Sequence, residues 1–454
     1  MKVCVVGTGY VGLTTGVCLA FLGHDVTCVD YDEAKVELLR AGGTPIYEPH
    51  MTELLAEAAE HLTFTTDYAE AVPGAEVVFI AVQTPSLPDG NPDLAYLRSA
   101  AESVGQHIGA GFTVVVNKST VPIGSGNWVD AILREAFERT HSRRAEGEFS
   151  VASNPEFLRE GVAIADTLYP DRIVIGSDNP RSLDVLNRLY RAVLNQTFTP
   201  PAFLPRPAEM GAVPMVSTDL ASAELIKYAA NAFLAIKISY INEIGRLAGK
   251  VGADIMQVAR GTGLDARIGP RFLEPGVGWG GSCFGKDTAA LITTAGDYHH
   301  DMPIVEAARE VNLRQRRAVV DRLLGELRIL KGRKIGLLGL AFKPDTDDMR
   351  DSPAIDIAEQ LIAHGARVSL HDPVAAERFA RERPDLAPRL GTTVEEVFDD
   401  SDAVVLVTKW SQYLDLDWAK LATLMRTPVL LDGRHCLDPA RMTRLGYRYL
   451  SVGG

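Results

Sequence analysis

The chain has 454 residues, 46% hydrophobic and 23% charged, with a formal charge of −13; this length makes roughly two to three domains with sizeable cores. The acidic balance argues against a general nucleic-acid or anionic-membrane surface, so an anionic ligand needs its own cluster of Lys and Arg. Five scattered cysteines without a CxxC (Cys4, Cys18, Cys28, Cys283, Cys436) form neither a zinc ribbon nor a disulfide framework. With no signal-peptide pattern, no apolar run of membrane-spanning length and no metal-ligand spacing, the expectation is a cytoplasmic protein without a metal.

From residue 1 to about 197, short β-branched runs alternate with helical patterns, which predicts a parallel sheet covered by helices. Predicted strands are 3–6, 26–30, 77–82, 113–117, 150–153 and 172–175. The first runs straight into Gly7-Thr8-Gly9-Tyr10-Val11-Gly12. In this GxGxxG the first glycine permits the tight turn, the second lets a pyrophosphate approach and the third lets the helix pack closely. The phosphates then meet the unpaired N–H groups of the helix N-terminus. Asp30 ends the second strand about twenty residues on, where a carboxylate binds ribose hydroxyls and repels a 2′-phosphate. NAD is therefore expected over NADP, with Lys35 nearby.

The strand 150–153 leads into Asn154-Pro155-Glu156-Phe157-Leu158-Arg159-Glu160-Gly161. Ligands of an open α/β sheet bind beyond the carboxyl ends of its strands, and carboxylates there can position or deprotonate a water. The alternative is a solvated turn before a helix. After the proline-rich stretch 200–214, residues 219–250 read as one helix about 45–50 Å long, expected to bridge domains and carry an interface. Lys227 and Asn231 share a face of it, where both could donate to an alkoxide or oxyanion; the alternative is a solvent-facing pair.

Next comes Gly278-Trp279-Gly280-Gly281-Ser282-Cys283-Phe284-Gly285-Lys286-Asp287. Glycines allow positive φ and close approach of a ligand, and a neighbouring ammonium favours a thiolate, which attacks an aldehyde carbon well. Alternatively Cys283 is a small buried hydrophobe. From about residue 332 the βα pattern returns, with predicted strands 334–338, 368–371, 404–407 and 429–431. Gly23-His24-Asp25-Val26 is echoed by Gly365-Ala366-Arg367-Val368, and Ala75-Glu76-Val77-Val78 by Asp402-Ala403-Val404-Val405. These echoes predict an α/β fold of two doubly wound Rossmann-like domains, 1–212 and 326–454, joined by a helical middle, 213–325, with the ligand in the cleft. The second GxGxxG is replaced by Gly339-Leu340-Ala341-Phe342-Lys343-Pro344, so only one dinucleotide site is expected. Lys343 and Arg350, with Arg267, Lys286 and Arg434, supply cations for phosphate oxygens.

These motifs, with Ser119-Thr120-Val121-Pro122, the helix Glu224–Asn242 and the run Ala341–Arg350, occur in the order of the nucleotide-sugar dehydrogenases. Over nearly its whole length the chain resembles the UDP-glucose/GDP-mannose dehydrogenase family. Leu158-Arg159-Glu160 and Ser282 are similar to members acting on UDP-glucose or GDP-mannose, and the stretch from Leu264 to Leu273 is closer to those acting on UDP-glucose. Gln83 before Thr84, and Trp279, depart slightly from the family pattern. The resemblance implies a four-electron oxidation of UDP-glucose with two NAD, in a homodimer. It implies Cys283 as the nucleophile that captures an aldehyde and then carries a thioester. It assigns the alcohol proton and the oxyanions to Lys227, Asn231 and Asp287, and the hydrolytic water to Glu156, with Thr120 and Glu160 beside it and the nicotinamide. On the cofactor side it implies Gly7, Gly9, Tyr10, Val11, Gly12, Asp30, Lys35, Thr84, Lys286 and Arg350. On the substrate side it implies Glu156, Phe157, Leu158, Phe272, Gly276, Gly280, Lys343 and Arg434, with Arg267 reaching a neighbouring subunit's site. Two other readings of the residues stay open: a two-electron hydroxyacid dehydrogenase using Lys227, and a nucleotide-sugar sensor.

Overall fold

The computed structural model describes residues 1–85, 87 and 92–453, and they divide into two compact units, Met1–Ala229 and Ala230–Gly454. The first is built on an eight-stranded sheet: β1 (Lys2–Val6), β2 (Asp25–Val29), β3 (Leu62–Thr65), β4 (Val77–Ile80), β5 (Thr113–Asn117), β6 (Phe149–Ser153), β7 (Ile173–Gly176) and β8 (Met215–Thr218). Their order is β3-β2-β1-β4-β5-β6-β7-β8. All neighbours are parallel except β6 and β7, which meet antiparallel at Ser153 and Gly176. In the centre, Val3 pairs with Val26 on one side and Val77 on the other. The runs Val-Cys-Val-Val, Val-Val-Phe-Ile and Thr-Val-Val-Val are buried throughout, as strands covered by helices on both faces must be. The chain winds outward from β1 to β3 and then reverses at β4, so the crevice beyond the carboxyl ends of β1 and β4 is the switch point where such sheets bind ligands.

The second unit carries β9 (Lys334–Leu338), β10 (Arg367–His371), β11 (Ala403–Leu406), β12 (Val429–Asp432) and β13 (Arg448–Ser451). They form a wholly parallel sheet ordered β10-β9-β11-β12-β13. The two doubly wound sheets expected from the internal echoes are therefore present. They share more than their order. Gly7 and Gly339 follow the first strand of each with φ of 96° and 97°. Their N–H groups donate to Val29 O at 2.7 Å and to His371 O at 2.8 Å.

The helix Leu220–Val251 has 32 residues, about 48 Å at 1.5 Å per residue; residues 220–229 belong to the first unit and the remainder to the second. The second unit continues through Ile255–Gly263, Phe284–Asp297 and Pro303–Leu327 before reaching its sheet. Among the described residues no helix is long and apolar enough to cross a membrane, and no group of His, Cys, Asp and Glu could hold a metal.

Candidate functional site

In the first unit, the turn after β1 divides its glycines by task. A Cβ on Gly7 would lie 2.6 Å from Ala81 O, and one on Gly12 would lie 1.9 Å from Gly7 O. The fold itself forbids side chains there. At Gly9, the N-cap of the helix Tyr10–Phe21, a Cβ would meet nothing within 4 Å. That glycine fills no packing need, and the open space before the helix N-terminus suits a pyrophosphate. Asp30 Oδ2 accepts from Thr8 N (2.8 Å) and Thr8 Oγ1 (2.6 Å), while among the described residues Oδ1 accepts only from Asp32 N at 3.1 Å. One oxygen braces the turn and the other keeps a free lone pair for a hydroxyl. These residues fit a dinucleotide. Lys35 pairs with Asp32 at 3.9 Å, and Thr84 Oγ1 donates to Thr120 O at 3.0 Å, which joins the loops after β4 and β5.

Tyr10 reaches further. Its hydroxyl donates to Glu48, and Gly161 N donates both to that hydroxyl (2.8 Å) and to Glu48 Oε2 (2.7 Å). Glu48 Oε1 takes Ala163 N at 2.6 Å. Burial pushes the Glu48 carboxyl above its ordinary range, against these donors. The cofactor turn is thereby tied to the loop of Glu156 and Glu160, through a residue that sequence reasoning passed over.

That loop is no solvated turn. Glu156 is buried; its Oε1 accepts from Lys227 Nζ at 2.8 Å and its Oε2 from Leu158 N at 2.9 Å. Lys227 itself is 3% exposed, so the solvent-facing alternative fails for it. The Phe157 ring lies 3.8 Å from the Arg172 guanidinium and 5.5 Å from Lys227 Nζ, which orients the ammonium. Lys118, also missed, is buried after β5. Its Nζ donates to Asn154 Oδ1 at 3.0 Å.

One turn before Lys227, Glu224 accepts from Gly124 N (2.6 Å) and Gly126 N (2.8 Å) at the start of the helix Ser125–His141. Burial raises its carboxyl from the ordinary 4.5 to about 7, despite both donors. A carboxyl with a raised folded pKa contributes stability that is complete below its unfolded value and is lost as pH rises through the folded one. Between pH 5 and 8 the wild type should therefore lose about 3 kcal/mol relative to Glu224→Gln, measured by urea melts at both pH values.

In the second unit, Cys283 is half-buried and is the N-cap of the helix Phe284–Asp297, a position that favours a thiolate. Asp287, in the first turn of that helix, is fully buried. Its Oδ2 accepts from Asn231 Nδ2 and its Oδ1 from Lys286 Nζ, both at 2.6 Å. Lys286, assigned to the cofactor by resemblance, thus spends its charge on Asp287.

The glycines of this loop face protein. A Cβ would lie 2.6 Å from Asn312 Oδ1 at Gly278, 2.2 Å from Asp351 O at Gly280 and 2.7 Å from the Phe342 ring at Gly281. At Gly276 it would lie 3.0 Å from Gly433 O and 3.1 Å from Arg434 Nη1. Trp279 is clasped as well: its N donates to Asn312 Oδ1 at 2.8 Å and its Nε1 to Ser239 Oγ at 3.0 Å. Packing against named neighbours accounts for these glycines before any ligand does. Gly280→Ala should therefore destabilise the protein by about 2 kcal/mol or more and displace Cys283, seen as a lowered Tm together with a lowered kcat.

The remaining assigned residues are placed as follows. Phe272 holds φ at 65°, a rare conformation for a bulky residue, and its ring meets that of Phe284 edge to face with centroids 6.3 Å apart. Arg434 donates to Val407 O at 2.6 Å, and burial pulls its guanidinium down to about 10. Arg350 is bidentate to Asp348 (2.9 and 2.7 Å), and Lys343 Nζ lies 5.5 Å from the Phe342 ring. Arg267, highly exposed, is bidentate to Asp265. Each of Lys286, Arg350 and Arg267 thus already has a carboxylate partner close in sequence. Asp372, the counterpart of Asp30, has neither oxygen spare. Oδ2 accepts from Leu340 N, Ala341 N and Trp410 Nε1 (2.7, 3.0 and 3.2 Å), and Oδ1 from Val374 N and Ala375 N (2.9 and 2.8 Å).

Residues 1–194 match the NAD binding domain of the UDP-glucose/GDP-mannose dehydrogenase family, 221–314 its central domain and 336–439 its UDP binding domain. A UDP-glucose 6-dehydrogenase of Rhizobium meliloti is 45% identical over 465 residues, covering 100% of this chain and 99% of its own. One of Pseudomonas aeruginosa is 43% identical over 461 residues, covering 100% and 97%. The solved structure of a UDP-glucose dehydrogenase from the archaeon Pyrobaculum islandicum superimposes with a TM-score of 0.88 at 39% identity, covering 100% of this chain and 97% of that one. The chain belongs to the UDP-glucose/GDP-mannose dehydrogenase family, and it is an NAD-dependent dehydrogenase.

Proposed function

We propose that the chain is a cytoplasmic, homodimeric enzyme that oxidises UDP-glucose to UDP-glucuronate, taking the sugar's primary alcohol to a carboxylate. The observation that carries this reading is Cys283 at a helix N-cap, half-buried and so within reach of a substrate. A two-electron alcohol oxidation or simple binding has no use for a nucleophile there. The turn Gly7–Gly12 and Asp30 would hold NAD, which would supply the hydride acceptor for each of two oxidations of the sugar carbon. Lys227 takes the alcohol proton in the first, giving the aldehyde. The Cys283 thiolate adds to the aldehyde carbon, and the Asn231 amide, oriented by Asp287, donates to the resulting oxyanion. The second oxidation removes a hydride from the carbon of that adduct, whose oxygen already lacks its proton, and leaves a thioester. Glu156 then takes a proton from water, which displaces the thiolate as the carboxylate forms. The buried Lys227–Glu156 contact at 2.8 Å supports placing both proton-accepting steps at one site, away from bulk water.

The test is NADH formation with a panel of nucleotide sugars. UDP-glucose should give two NADH per sugar, and faster turnover of GDP-mannose at equal concentration would overturn the assignment. For the dimer, Phe233, Tyr240 and Leu247 stand seven apart on one helix and are 61%, 51% and 55% exposed, an apolar stripe suited to a second copy. Tyr240→Glu should convert a dimer to a monomer by light scattering at micromolar concentration. A wild type already monomeric and fully active would refute the dimer.

A further inference from the structure

Lys118 has no task in the reading above, yet its position is costly to maintain. It follows β5, whose five residues are all buried, and is itself buried. An ammonium is not kept in such a place without partners. Its Nζ donates to Asn154 Oδ1 at 3.0 Å and lies 5.9 Å from the Phe79 ring. Asn154 is fixed in turn, its Oδ1 accepting from Tyr190 Oη at 2.6 Å and its Nδ2 donating to Val174 O at 2.8 Å. Two residues on, Glu156 holds Lys227. Two ammoniums and one carboxylate thus share one interior region of the first unit.

We infer that Lys118 is a positioning residue for the oxidation: its charge makes the Lys227 ammonium a readier proton donor, so that the Lys227 amine is available as a base near neutral pH. A like charge nearby disfavours the protonated form of a lysine, and a cationic neighbour is an established way to activate an amine. Among the groups that bear on Lys227 are Glu156, which favours its charge, Lys118, which opposes it, and the Phe157 ring, against which Arg172 also lies. Tyr190, joined through Asn154, is held neutral by burial. Burial also pulls Lys118 down to about 8, with the Glu156 charge opposing and Lys227 adding. Lys118 therefore stays largely protonated at neutral pH.

The inference rests on Lys227 handling the alcohol proton. Lys118→Gln keeps an N–H donor for Asn154 without the charge, and Lys118→Arg keeps the charge. In Lys118→Gln the acidic limb of the kcat–pH profile should move up by about one pH unit, with KM for UDP-glucose nearly unchanged. Lys118→Arg should follow the wild type. Titration of the Lys227 ammonium by NMR of lysine-labelled protein without substrate should move in the same direction. An unmoved ammonium midpoint in a folded Lys118→Gln protein would overturn the inference, as would an equal shift in Lys118→Arg. A moved midpoint with an unmoved kinetic limb would instead refute Lys227 as the base and leave the charge coupling standing.

Discussion

Cys283→Ser should bind NAD and UDP-glucose nearly as well as the wild type and lose overall turnover by about a thousandfold or more. Serine keeps the size of the side chain and its place at the helix N-cap, so the loop clasped by Asn312, Asp351 and Phe342 need not move. What disappears is the anion. A thiol at a helix N-terminus ionises within the neutral range, whereas an alcohol does not, and an oxygen ester is a poorer intermediate than a thioester. The wild type should release two NADH per sugar and no free aldehyde. Cys283→Ala should instead stop after one oxidation and accumulate aldehyde in single-turnover experiments. A Cys283 variant with near-normal release of two NADH would leave the two-electron hydroxyacid reading standing.

Glu156→Gln should act later in the sequence. With no carboxylate to take a proton from water, both oxidations proceed and hydrolysis slows, by about a hundredfold or more. NADH should appear in a burst of two per active site and then nearly stop. Intact-mass spectrometry should show the sugar nucleotide bound covalently to Cys283. The substitution also strips the buried Lys227 of its counter-charge, at about 3 kcal/mol, so Tm should fall even though glutamine can still accept from the ammonium. If no adduct forms and the burst is absent, Glu156 serves the oxidation and not the hydrolysis.

The interior strands were legible because most are short, largely apolar and β-branched runs, as strands covered on both faces are. Three of the four edge strands were not, while the fourth, Arg367–His371, was found through its echo of Asp25–Val29. Leu62–Thr65, Met215–Thr218 and Arg448–Ser451 are four residues each with exposed or half-exposed members, and an edge needs no continuous apolar signature. The motifs pointed to Asp30, Glu156, Lys227 and Cys283, because chemistry restricts which residues can stand in those places. Local patterns could not show how they pair. Glu156 meets Lys227 across 71 residues and Asn231 meets Asp287 across 56, contacts that only the fold creates. Lys118, Glu48 and Glu224 were missed for a related reason. Each is an ordinary charged residue in sequence, and only its burial against specific partners gives it weight. One signal was available: Lys118 directly follows a strand with no polar face, so its ammonium has little chance of reaching water.

Asp30 and Asp372 occupy equivalent places in the two sheets, but among the described residues only Asp30 has an oxygen with a vacancy. In the second sheet the tryptophan N–H of Trp410 and four backbone amides occupy the acceptors, so that turn is complete as soon as the chain folds. The second turn thus closes this one contact to a ribose hydroxyl by internal substitution, the protein's own N–H groups standing where the hydroxyl would. Restoring the vacancy would take more than glycines at the turn, because Trp410 must also be removed from Asp372.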